Sequence, residues 1–222
     1  MTAKHNLHVA ALIPPHLNPE DVIAALHDHN TCLSLQALTT GHEKLPETNP
    51  ETKKDTYWYP VDLHPVHTYS VTECVTVLPG IGEWGKKYIN FPSCFQDTPH
   101  GIKTRADAPG GVTLRAEFRV IKGGADDGEV EGEGEGIGYA EWVLVEDVEV
   151  QCAWWMMPFV RKSMEGAHRD ICKKVVEKVE MLKRQEQVAQ TAAKGKGKAD
   201  PEEQSPISAK DEERLPDKIT YG

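Results

Sequence analysis

Long apolar runs are missing from this chain of 222 residues. Nothing in it approaches the ~20 consecutive apolar residues of a membrane-spanning helix. Residues 1–7 carry no apolar run of signal-peptide length. A cytoplasmic chain with no integral membrane segment is therefore expected. Cysteine is scarce, five in all and without close pairing, which argues for free thiols in a reducing compartment over a disulfide framework. Positive charge is in deficit, with 25 Lys and Arg against 35 Asp and Glu, a net charge of −10. Binding to nucleic acid needs clustered Lys and Arg to displace counterions from phosphate. The basic residues between positions 161 and 184 are interleaved with Glu165, Asp170, Glu177 and Glu180, as on a solvated helix face. No nucleic-acid partner is expected.

What is present divides the chain in two. Hydrophobic residues make up 39% and charged residues 27%, ordinary values for a globular domain. From about residue 191 the sequence turns to Lys, Gly, Glu, Ser and Pro with few bulky apolar groups, too few to offset the entropy of ordering. One domain over 1–190 and a disordered charged tail over 191–222 are expected.

An apolar run at 7–13, closed by Pro14-Pro15, opens the domain as a strand. Asn18-Pro19-Glu20-Asp21 is a helix start, with a capping side chain, proline in the first turn, and acids against the positive end of the dipole. A second short helix follows around Cys32–Leu38. Strands then read at 39–45, 57–63, 67–78, 84–95, 101–106, 112–122 and 139–152, with a polar loop at 46–55 and an acidic, glycine-rich hairpin loop at 123–138. After Pro158 comes one long amphipathic helix, with Met164, His168, Ile171, Val175, Val179 and Leu182 on one face.

Familiar motifs do not survive inspection. Gly80-Ile-Gly-Glu-Trp-Gly85 matches a dinucleotide fingerprint in letters, but a strand pattern follows it where a helix N-terminus would have to hold the pyrophosphate. His27/His29 and His64/His67 lack partners at metal-site spacing, and the Glu-Gly repeat at 129–136 lacks the ligand order of a calcium loop. No metal and no cofactor is expected. Cys74, Cys94, Cys152 and Cys172 read as small apolar fillers.

Strand parity carries more. Tyr69, Val71, Glu73, Val75 and Val77 form one face of a strand that is apolar but for Glu73, and Trp142, Leu144, Glu146, Val148 and Val150 form another that is apolar but for Glu146. A buried carboxylate needs a partner, a proton or a wet cavity. His168, on the apolar stripe of the last helix, is a candidate partner, as is Arg105. Arg115 and Arg119 alternate onto the outer face.

The order of these elements, with Pro19-Glu-Asp-Val-Ile-Ala-Ala-Leu-His-Asp-His29, Tyr69-Ser-Val-Thr-Glu73, Gly110-Gly-Val-Thr-Leu-Arg115 and Met157-Pro-Phe-Val-Arg161 with Glu165 and His168, resembles the START-like, Bet v 1-like (SRPBCC) superfamily. More narrowly it resembles a fungal family of uncharacterised START-like domains, DUF7053-like, over about residues 5–185. The resemblance implies an α+β helix-grip fold: a curved antiparallel sheet of about six to seven strands around a long C-terminal helix, with an apolar cavity between them. It assigns no catalytic residue. The expected partner is an apolar small molecule or lipid, bound without catalysis by Tyr69, Glu73, Trp142, Glu146, Met164, His168 and Ile171. The rival readings are a cyclase, isomerase or dehydratase acting on a hydrophobic secondary metabolite, and a protein-interaction adaptor working through the tail. The sequence does not specify an oligomeric state.

Overall fold

A computed structural model describes residues 1–76, 80, 82–123 and 140–196. The expected acidic loop, apart from Gly123, and the tail beyond 196 lie outside these residues. The chain divides into two units, Met1–Arg184 and Gln185–Gly222. The second, as far as it is described, is helical to Lys196, where Thr191 Oγ1 donates to the Gln187 carbonyl at 2.8 Å.

The first unit holds seven strands, β1 (Thr2–Ile13), β2 (Thr39–Lys44), β3 (Val66–Thr76), β4 (Lys86–Thr98), β5 (Gly101–Ala108), β6 (Val112–Lys122) and β7 (Trp142–Ala153). They form one antiparallel sheet in the order β1-β7-β6-β5-β4-β3-β2. The helices are α1 (Pro19–His27), α2 (His29–Leu35), α3 (Pro50–Lys53), α4 (Met157–His168) and α5 (Ile171–Lys196). This open sheet with a closing C-terminal helix is the helix-grip arrangement.

Local chemistry explains the helix ends. Asn18 Oδ1 accepts from the Glu20 N–H at 3.3 Å and Pro19 opens the first turn, so α1 starts as its sequence dictates. It buries Val22 and Leu26 completely, each worth roughly 1.5–3 kcal/mol. His27 Nε2 reaches the carbonyls of Thr98 and Gly101 at 3.1 and 3.0 Å, tying the α1–α2 junction to the β4–β5 turn. That turn needs glycine: a Cβ on Gly101, at φ +158°, would lie 2.1 Å from the Phe118 carbonyl oxygen.

Expectations are corrected in two regions. The closing helix is not continuous: α4 ends at His168, Arg169 and Asp170 form a turn, and α5 restarts with the Lys174 N–H on the Asp170 carbonyl at 2.9 Å. Burial follows the expected stripe through Met164, His168, Ile171, Val175 and Val179, but Leu182 is exposed. The second correction is at 57–63, where there is no strand. The aromatic residues that suggested one belong to a turn-rich strap, residues 54–65, packed on the outer face of the sheet. Trp58 is buried there against Val66 and Cys94. The wholly buried Gln96 side chain accepts from the Tyr59 N–H at 2.9 Å and donates to the carbonyls of Tyr59 and His64 at 3.0 and 2.7 Å. Tyr57 donates its hydroxyl to the Ala116 carbonyl at 2.7 Å. The preceding "polar loop" contains α3, capped by Asn49.

Candidate functional site

The concave face of the sheet and the helices α2 and α4 enclose a cavity of about 440 Å³, within the range of roughly 300–1,000 Å³ typical of small-molecule sites. Alternation along β3 and β4 aims Val71, Glu73, Val75, Ile89, Phe91, Ser93 and Phe95 into it. Cys32 and Leu33 of α2 close one side, and Val160, Met164, Ala167 and His168 of α4 close another. The wall is mainly hydrocarbon. Among the described residues its ionisable groups are Cys32, Glu73, Lys87 and His168.

His168 closes the last turn of α4, over β7. Its Nδ1 lies 2.7 Å from Oε1 of Glu146, a residue with no exposed surface. Glu146 Oε2 has no hydrogen-bond partner among the described residues. Burial works against the charged imidazolium, but the Glu146 carboxylate at Nδ1, with Glu73 farther off, outweighs it and holds the His168 pKa above its ordinary 6.5. The Nδ1 contact leaves Nε2 as the ring nitrogen available to a ligand. Glu73, half-buried on the opposite wall, makes no hydrogen bond or contact ion pair among the described residues. Burial pushes its carboxyl up, and the charge of His168 pulls against that shift.

Of the seven residues expected to line a pocket, Glu73, Met164 and His168 do so. The other four face the same side of the sheet or core but do not reach the lining. Tyr69 sits behind Phe95, ring centroids 5.4 Å apart, with its hydroxyl 3.1 Å from His29 Nδ1. Glu146 lies behind His168. Ile171, first residue after the helix break, is packed completely into the core. Trp142 begins β7 at the far end of the sheet, under Lys122 at 5.6 Å. Parity fixes which face a side chain takes and says nothing of its depth along the sheet. The contributions of α2 and of Met156 and Phe159 were not anticipated; the apolar spacing of Cys32, Leu33 and Leu38 was the available signal.

The remaining candidates have structural partners. Arg105 lies on the outer face with Arg115, both donating to Asp55 Oδ2 at 2.6 and 2.7 Å, and Arg119 pairs with Asp147. His29 Nε2 bonds Asp97 Oδ1 at 2.9 Å. The five cysteines are free. Gly82–Gly85 forms a 3-10 turn leading into β4, and Ile81 lies outside the described residues. A second, more open depression of about 750 Å³ on the outer face is lined by Asp55, Tyr57, Arg115, Asp147 and Glu149 among others. Its acids are already paired: Asp55 with Arg105 and Arg115, Glu117 with Lys103, Asp147 with Arg119 and Glu149 with Lys4. No helix among the described residues is long and apolar enough to cross a membrane.

Two solved structures are similar in architecture. TTHA0849 of Thermus thermophilus is 12% identical, the match covering 82% of this chain and 99% of that one at a TM-score of 0.44. The Zhui aromatase/cyclase of Streptomyces sp. R1128 is 15% identical, with 81% and 93% covered and a TM-score of 0.40. No curated protein matches the sequence. Residues 2–181 match the family described as a domain of unknown function, DUF7053, and the chain belongs to that family.

Proposed function

We propose that this member of the DUF7053 family binds an apolar small molecule or lipid bearing one polar group, held in the cavity between sheet and helix. The observation that carries the reading is a mainly hydrocarbon-walled space of about 440 Å³ whose polar lining includes Glu73 and His168, facing each other with hydrogen-bonding capacity unused among the described residues. Apolar walls supply area, and a few placed polar groups supply orientation. His168 is held in one orientation by Glu146, so it offers a fixed Nε2. Glu73, its carboxyl pushed towards the protonated form by burial, can donate or accept. A ligand hydroxyl, carbonyl or carboxyl between them satisfies both.

Native mass spectrometry of the freshly purified chain, followed by organic extraction, tests this. A bound small apolar compound, or stoichiometric uptake of an added fatty acid or sterol, is the expected result. A chain that carries nothing and takes up no apolar compound at any concentration refutes it.

A second reading is favoured by one specific observation. A buried carboxylate that fixes a histidine ring, with a second carboxyl on the facing wall, is also a general acid–base arrangement. It suits an isomerase, dehydratase or cyclase acting on the same class of compound. If the extracted compound is turned over and Glu73→Gln leaves the rate unchanged, this reading fails for Glu73.

A further inference from the structure

We propose that the end of the sheet around the cavity mouth docks on a lipid bilayer surface containing anionic phospholipid. At this end β3 passes to β4, β5 passes to β6, and β7 leaves for α4: Thr76 pairs with Lys86, Ala108 with Val112, and Thr113 with Gln151 near the end of β7. The cavity opens here, where Lys87, Pro109, Gly110, Met156 and Phe159 line it. The β7–α4 link folds over the β5–β6 turn, with Met156 Cε 3.0 Å from where a Cβ on Gly110 would sit.

Large rings stand in solvent at this end of the sheet. Trp154 and Trp155 are 63% and 67% exposed, Phe159 at the cavity mouth 47%, and Trp84 in the turn before β4 92%, while Tyr88, 62% exposed, alternates onto the outer face of β4. Three of the chain's five tryptophans therefore lie exposed at one end, with none of the described residues covering them. Scattered exposed apolar residues are ordinary; a group rimmed by polar residues marks an interaction surface.

Three features favour a bilayer as the occupant. Trp and Tyr combine an apolar ring with a polar N–H or O–H, which suits the headgroup level. The charge is complementary to anionic lipid. Of the acids at this end, Glu83, Asp107 and Glu165 are each bound to a basic partner, Lys86, Arg105 and Arg161, and Glu73 lies inside the cavity. The exposed Lys87 and Lys162 make no ion pair among the described residues, on a chain of net charge −10. Phe159 lines the mouth of the apolar cavity and Trp154 and Trp155 stand in the link that also sends Met156 to it, so a docked molecule presents that cavity to the acyl region, where a poorly soluble ligand partitions. This last point rests on the proposed ligand binding; the ring and charge features stand without it.

Flotation of the full chain with vesicles of phosphatidylcholine alone, or of phosphatidylcholine mixed with phosphatidylserine, tests the surface. The chain should float with the mixed vesicles, less so at high salt, with the fluorescence of the exposed tryptophans shifting to the blue. Lys162→Ala should weaken partitioning roughly fivefold, and the double variant Trp154→Ala/Trp155→Ala on the order of tenfold or more. A chain that stays in solution with both vesicle types overturns the proposal, as does a double variant that floats like the parent. Loss of a concentration-dependent dimer in the double variant, without vesicle binding by the parent, would assign the surface to a second copy and overturn it too. Uptake of a fluorescent fatty acid in free solution, measured on both proteins, separates the two ideas. If uptake fails while flotation succeeds, the ligand reading falls and the docking surface stands.

Discussion

At the scale of single residues, the pair of Glu146 and His168 sets the character of the cavity. Removing one partner of a buried pair leaves the other charge without compensation, which costs about 3–5 kcal/mol. His168→Ala should therefore lower unfolding stability by that order in urea titrations. Replacing both residues with leucine should restore much of it, because apolar packing then replaces the pair. The pH dependence has a definite sign. The folded pKa of His168 is raised above 6.5, so the stability it contributes is complete below about pH 6.5 and is lost as pH rises through the folded value. Glu73, also raised by burial, acts in the same direction from lower pH. Stability measured from pH 6 upward should decline in the parent and decline less in His168→Ala; parallel curves would show that His168 does not titrate as described. Strand parity made Glu73 and Glu146 visible in the sequence, because each interrupts an apolar register. It could not tell which of them His168 would meet, since that depends on how far along the sheet α4 lies.

At the scale of elements, the strap over the outer face shows where sequence pattern misleads. Tyr57, Trp58 and Tyr59 have strand-like composition, yet they are held by side-chain bonds from the sheet and not by a strand ladder. Gln96 is the main anchor, with three hydrogen bonds to the strap backbone. At about 1 kcal/mol each, Gln96→Leu should cost roughly 2–3 kcal/mol. It should also speed amide exchange at Tyr59, whose N–H loses its acceptor, while exchange in β5 and β6 stays slow. Unchanged protection at Tyr59 would mean that packing of Trp58 alone secures the strap. The break after His168 was equally hidden: the apolar stripe keeps its spacing across 168–171, so periodicity gives no sign of the interruption. Strands β4 to β7 were legible because alternation and glycine-bearing turns coincide there, Val112–Lys122 to the residue.

At the scale of the whole molecule, a sheet of seven strands bends around helices that fill most but not all of its concave side. The filled part, near β1 and β7, is closed by Ile171, Cys172, Val175 and Val179. The space near β3, β4 and β5 is left open beside Glu73 and His168. Fold class was legible from element order, because an N-terminal strand, short helices, a run of strands and a closing helix have few compact solutions. The position of the space was not, because it depends on the volumes that meet across the two layers.

The central claim is that this space is a ligand site. The most direct measurement is titration of a fluorescent fatty acid into the parent chain and into Ala106→Phe, whose new ring would occupy the cavity wall on β5. Saturable binding by the parent, with affinity largely lost in a variant that still unfolds cooperatively, is the predicted result. Equal binding by the two proteins, or none by the parent, would contradict it.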